Sequence, residues 1–151
     1  MSGDLAAFYA VRLDEDEAAA KAATAGPWTV GRLFGEDGEW HRGSHVAAMG
    51  HEKRMLLDMN TGYVPSKHVE TAEHIARHDP ARALREVAAG RALLNRYAYC
   101  KKLGGVPGNE HLDAAVMEYE DYVFPAAVLR WSDHPDYRQE WAPTPATRPG
   151  S

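Results

Sequence analysis

One stretch, His74-Ile75-Ala76-Arg77-His78-Asp79-Pro80-Ala81-Arg82, constrains the fold of this chain more than any other. Proline has no backbone N–H, and its ring is excluded from helix interiors. It does fit the first helical position, where the N–H would lack a partner anyway. Aspartate is among the best N-cap residues. One helix should therefore end near 78 and another should begin at 80, capped by Asp79. The same stretch also carries donor groups. Glu70, His74 and His78 are spaced i, i+4, i+8 and line one helix face. Two imidazoles with a carboxylate one turn away could hold zinc or another divalent metal, which would make the chain a metal-dependent hydrolase. The glutamate of the zinc-protease His-Glu-x-x-His motif is missing, because Ile75 follows His74. The capping reading is the stronger. It makes Glu70–His74 a surface pair and puts His78 at a helix C-terminus, where the macrodipole favours it.

Elements on either side follow from similar signals. Asp4 can cap a helix over 3–24, in which Leu5, Phe8, Val11 or Arg12, and Leu13 fall near helical spacing. Asp14-Glu15-Asp16-Glu17 is a solvated face, and Gly26-Pro27 stops the helix. Trp28-Thr29-Val30 and Arg32-Leu33-Phe34 are β-prone, Gly35-Glu36-Asp37-Gly38 is a turn, and Trp40 resumes the run. This is a hairpin. Apolar runs at 45–49 and 55–59 add strands, because an isolated hairpin is only marginally stable. Ser66 can cap a helix over 67–78. The Asp79-capped helix runs over 80–103, with Gly90 inside it. Asn109 can cap a third long helix carrying Leu112, Val116, Tyr119 and Val123, which Pro125 should kink or divide. Residues 142–151 look like a disordered tail. The expected fold is α+β: an N-terminal helix, an antiparallel sheet of three or four strands, then a helical hairpin or bundle. It forms one domain over 1–141.

Bulk properties narrow the function classes. A chain of 151 residues can hide roughly 70% of its unfolded surface. A net charge of -5 with a pI of about 5.9 argues against a nucleic-acid platform. The basic pairs Lys53-Arg54, Arg82 with Arg85, and Lys101-Lys102 are too small to reverse that. Cys100 is the sole cysteine, so no intramolecular disulfide forms, and an apolar helical setting makes it a core residue. With no leader and no apolar run of ~18 residues, the expected location is the cytoplasm, and no membrane partner is expected. There is no nucleophile elbow, P-loop, dinucleotide fingerprint or paired-cysteine motif.

Two further groups could bind a ligand. Trp28 and Trp40 flank the hairpin roughly opposite each other and could line a pocket for a planar molecule, although cross-strand aromatics ordinarily stabilise a sheet. His41 and His45 share one strand face if no bulge intervenes. Trp28, Trp40, His41 and His45 are thus the candidate ligand site, and Glu70, His74 and His78 the candidate metal site. Near the end, Asp133-His134-Pro135-Asp136-Tyr137-Arg138 makes a turn, and Tyr137 with Trp141 should fold the terminus back onto the helices.

Three segments in order carry a resemblance: Arg12-Leu13-Asp14-Glu15-Asp16-Glu17 leading to Gly26-Pro27-Trp28, then His74 to Arg82 with Leu84-Arg85-Glu86-Val87, then Asp133 to Arg138 with Trp141. Together they resemble an actinobacterial and actinophage family of unknown function, number 6221. The chain departs from it at Gly90, where a charged residue would be expected, and at Pro125. Gly-Pro-Trp followed by a small sheet and an Asp-Pro-Ala helix start is more loosely similar to Ead-type early proteins of tailed phages. The resemblance implies a phage, prophage or actinobacterial accessory protein and supplies no catalytic residues. The preferred expectation is a non-enzymatic protein that binds a partner protein or small ligand, with no cofactor unless a divalent metal is held. A homodimer would bury surplus apolar helix surface.

Overall fold

The computed structural model describes residues 2–34, 37–38, 40–48, 54–58 and 67–143. The chain divides into two compact units, Asp16–Val87 and Met1–Glu15 with Ala88–Ser151. The helices are α1 (Ser2–Ala22), α2 (Lys67–Arg77), α3 (Pro80–Leu103), α4 (Glu110–Glu118) and α5 (Phe124–Val128). The strands are β1 (Trp28–Phe34), β2 (Trp40–Ala48) and β3 (Arg54–Asp58).

The expectation of an α+β fold is corrected: the chain is mostly helical. Among the described residues, three strands form one short antiparallel ladder, β1-β2-β3, within the unit Asp16–Val87. In the other unit every regular element among the described residues is helical. The physical reason is the length of uninterrupted helical pattern. α1 and α3 run for 21 and 24 residues, and helical turns continue after α5 at Leu129–Trp131 and Gln139–Trp141.

In the unit Asp16–Val87, α2 packs on β1 and β2. Val46 pairs with Val30 on one side and Leu57 on the other, and both Val46 and Ala72 of α2 are fully buried. The Asp79 cap forms as expected. Its Oδ1 accepts from the Arg82 N–H at 2.7 Å, the hydrogen bond that an N-cap side chain makes to the third helical residue. Arg82 is also tied to Glu86 at 2.8 Å. The Gly26–Pro27 bond is cis, and a Cβ on Gly26 would lie 2.9 Å from Asp79 Oδ2. The turn that follows α1 thus passes directly against the cap of α3. Ser66, expected to cap α2, and the tail from 144 onward lie outside the described residues.

The helical unit is packed on aromatic rings. Phe124 is fully buried and touches Tyr9, Tyr97 and Tyr119 at ring separations of 5.7, 5.0 and 5.5 Å. Such tilted and edge-on pairs contribute ~0.5–1.5 kcal/mol each beyond burial. Pro125 divides the third long helix as expected. The turn before it, Tyr119–Val123, widens to π geometry, and the Phe124 N–H reaches back to Tyr119 O. That widening keeps the proline ring from meeting a tightly wound preceding turn. Asn109 does not cap α4 with its side chain. Its Nδ2 instead donates to Leu103 O at 2.9 Å and closes the end of α3.

Gly90 has a packing reason. A Cβ there would lie 2.6 Å from Tyr9 Oη and 2.8 Å from Leu13 Cδ1 and Cδ2, so α1 and α3 approach through the missing side chain. Alanine would raise helix propensity by ~1 kcal/mol, but it would overpack this contact at a cost of typically ~1–3 kcal/mol. Gly90→Ala should therefore lower the melting temperature in a calorimetric scan. A rise would refute the close approach.

Candidate functional site

The candidate metal face is present in part. Glu70, His74 and His78 lie on α2 and at its C-terminal end, all exposed. The His74 and His78 rings are 4.5 Å apart between centroids. His78 Nδ1 donates to His74 O at 2.8 Å, so that ring nitrogen serves the helix terminus. Among the described residues, no group of three or more His, Cys, Asp or Glu side chains could hold a metal ion.

The strand residues are separated by register. Trp28 lies opposite Ala48 and Trp40 opposite Phe34, so the two tryptophans occupy opposite ends of the β1–β2 ladder. The six residue steps from Trp28 to Phe34 span ~20 Å. They do not face each other across the hairpin. The register shifts between Val30 and Arg32, which partner Val46 and Arg42. The irregularity thus lies between His41 and His45, and simple alternation does not connect them. His45 pairs with Asp58.

Trp28 belongs instead to a groove of about 360 Å³ between β1 and α2, lined by Trp28, Thr29, Val30, Glu73, Ala76 and Arg77. Its indole Nε1 donates to Thr24 O at 2.9 Å, which fixes the ring beside the turn it follows. Arg77 is exposed at the rim and Trp28 is half-buried. The groove therefore offers a flat apolar surface next to one guanidinium and one carboxylate.

A second groove, about 550 Å³, lies in the helical unit between the N-terminal part of α1 and the closing segment. Its walls include Phe8, Val11, Arg12, Tyr137, Arg138 and Trp141. Phe8 meets Trp141 at 5.0 Å and Tyr137 at 6.2 Å, so the terminus does fold back onto the helices. The surprise is Arg12. Leu5, Phe8, Tyr9 and Leu13 form the buried stripe of α1; Arg12 joins it at 6% exposure, and Val11 is left 47% exposed. The guanidinium carbon of Arg12 lies 5.3 Å from the Phe8 ring centre. Nη1 is hydrogen-bonded to His134 Nε2, and Nη2 pairs with Glu15 at 2.9 Å. His134 Nδ1 sits 3.1 Å from the Asp136 backbone N and 3.9 Å from Asp136 Oδ2. Arg138 extends over Trp141 at 5.2 Å and bonds Asp4 at 3.1 Å.

Arg12 and Tyr137 also carry an unmet demand. Among the described residues, Arg12 Nε and Tyr137 Oη are the buried side-chain atoms with no hydrogen-bond partner. Each such atom costs ~1–3 kcal/mol. Val11 and Arg12 both fall near the α1 stripe by position. The signal that decides between them is spacing: 5, 8–9 and 12–13 recur at three to four residues, and 11 falls outside.

Tyr97 forms a third polar cluster. Its hydroxyl donates to Glu120 at 2.5 Å and accepts from Lys101 Nζ at 3.0 Å. Burial raises the Tyr97 pKa above the usual phenol value, and the hydrogen bond to Glu120 raises it further. A phenol held protonated is a poor general base at neutral pH, so the cluster braces α3 against the π turn. A raised folded-state pKa stabilises the protein fully below the unfolded value of 10.0 and loses that contribution as pH climbs through the folded value. The stability difference between wild type and Tyr97→Phe, measured by urea denaturation, should therefore shrink above pH ~10. A constant difference up to the alkaline limit would contradict this.

No helix among the described residues is long and apolar enough to cross a membrane. Neither a curated protein nor a solved structure shows significant similarity to the chain. One family model does match, over residues 2–143, and it takes in the closing segment as well as the Asp-Pro helix start. The chain belongs to that family, DUF6221, a family of unknown function.

Proposed function

We propose that this chain is a non-enzymatic accessory protein that acts by binding a partner protein or small ligand, and that the β1–α2 groove is where it does so. The observation that carries the reading is the Trp28 ring, pinned by Thr24 and set beside Arg77 and Glu73 in one concavity. Pinned aromatics give contact area at low entropic cost, and a flanking charged pair gives orientation. An actinobacterial or actinophage origin fits the motif segments, and a cytoplasmic location fits the composition. Tyr99, Val106, Met117, Tyr122 and Leu129 are exposed apolar or aromatic residues of the helical unit that a homodimer would cover. The hydrolase alternative through Glu70, His74 and His78 gains no third ligand among the described residues, and it is not pursued.

Native mass spectrometry of the protein purified from an actinobacterial host tests the reading. A stoichiometric adduct or complex should be present and should be lost in Trp28→Ala, with the charge-state distribution of the folded protein kept. One bound zinc, manganese or iron per chain, abolished by His74→Ala with His78→Ala, would overturn it in favour of metal chemistry.

A further inference from the structure

We infer that the groove between α1 and the closing segment is a binding site for a small carboxylate with a flat apolar body. The inference is independent of the β1–α2 groove. It begins from the two orphaned atoms. Arg12 Nε–H is a charged donor, the Tyr137 hydroxyl can donate as well, and both residues line this one groove. Nothing already in the groove answers them. The Asp4 carboxylate is bonded to Arg138, and that of Asp136 turns toward His134. The two terminal nitrogens of Arg12 are engaged by His134 and Glu15, which leaves Nε–H. A carboxylate fits this demand because its two oxygens can take a guanidinium N–H and a phenol O–H together.

The rest of the groove selects the body of the ligand. Phe8, Tyr137 and Trp141 lie 5.0 to 6.2 Å apart between ring centres and make an aromatic wall. Val11 adds exposed aliphatic surface at the edge. The three rings are buried against one another and Arg138 covers a face of Trp141, so a planar apolar group would take the place of part of this packing. Neither orphaned atom reaches solvent. Binding therefore requires the wall to yield, and the three-residue turn Gln139–Trp141 is its shortest element.

The test is a two-dimensional NMR titration of the full chain with 3-phenylpropionate and, in parallel, its neutral amide. Saturable shifts of the Arg12 Nε–H and Trp141 indole N–H are expected with the acid, with affinity about tenfold weaker for the amide. Tyr137→Phe should weaken the acid about fivefold. It should leave the melting temperature unchanged or raised, because its hydroxyl has no partner within the protein. That variant removes one oxygen and keeps the ring, so folding is not at risk as it is with Arg12 variants. Equal affinity for acid and amide would overturn the site. So would the absence of saturable shifts with both probes, shifts confined to Trp28, or a Tyr137→Phe protein that binds normally and melts lower.

Discussion

A positive charge placed where a leucine would be expected organises the helical unit. Arg12 sits in the apolar stripe of α1, and its guanidinium has been taken out of water. Burying an ion costs several kcal/mol unless partners replace the lost hydration. One of those partners comes from far along the chain. His134 lies 122 residues away and accepts from Nη1, Glu15 pairs with Nη2, and the Phe8 ring offers its face. A leucine at position 12 would pack on whatever apolar surface arrived. An arginine accepts only a surface with acceptors in the right places, so the closing segment has one seat. Phe8, Tyr137 and Trp141 then pack around a position that the polar contact has already chosen.

The motif segments on which the family resemblance rests meet one another in pairs. In the helical unit, the Arg12 segment meets the Asp133–Trp141 segment through Arg12–His134. In the other unit, Gly26 of Gly-Pro-Trp lies against Asp79 of the Asp-Pro helix start. Each pair joins residues distant in sequence by a contact with little room for substitution: a charged hydrogen bond in one, and the absence of a Cβ in the other. Each pair also lies beside a groove. The same residues that set the architecture therefore shape the concave surfaces, as expected where binding uses a rigid scaffold.

Local signals read well from the sequence. Asp79-Pro80 set the start of α3 because capping and proline sterics act within one turn. Pro125 divided the last helix for the same reason. What depended on distant partners read poorly. The β-prone runs at 28–34 and 40–48 were legible, but the register was not: the turn seats Phe34 opposite Trp40, which already puts Trp28 at the other end of the ladder, and the shift beyond Val30 moves it on to Ala48. The β-prone runs stand out in the sequence as clearly as the helices, yet strands of 5 to 9 residues add little beside helices of 21 and 24, and the chain is mostly helical. Gly90 looked like a departure from the family and proved to be a contact, since the chemistry of a glycine lies in what approaches it. The candidate donors on α2 were placed correctly on one helix face, yet a face is not a site until another element supplies a ligand. The Arg12 groove was overlooked because no pattern within ten residues announces a partner at 134.

The most direct measurement of the Arg12 account is a double-mutant cycle between Arg12→Met and His134→Ala, followed by urea denaturation. Methionine keeps the length and apolar stem of the side chain while removing its charge and donors. If the guanidinium–imidazole contact seats the closing segment, the two substitutions should be strongly non-additive, with a coupling energy of about 1–3 kcal/mol. Additivity to within about 0.5 kcal/mol would show that the aromatic packing alone holds the segment, and that the buried charge organises nothing.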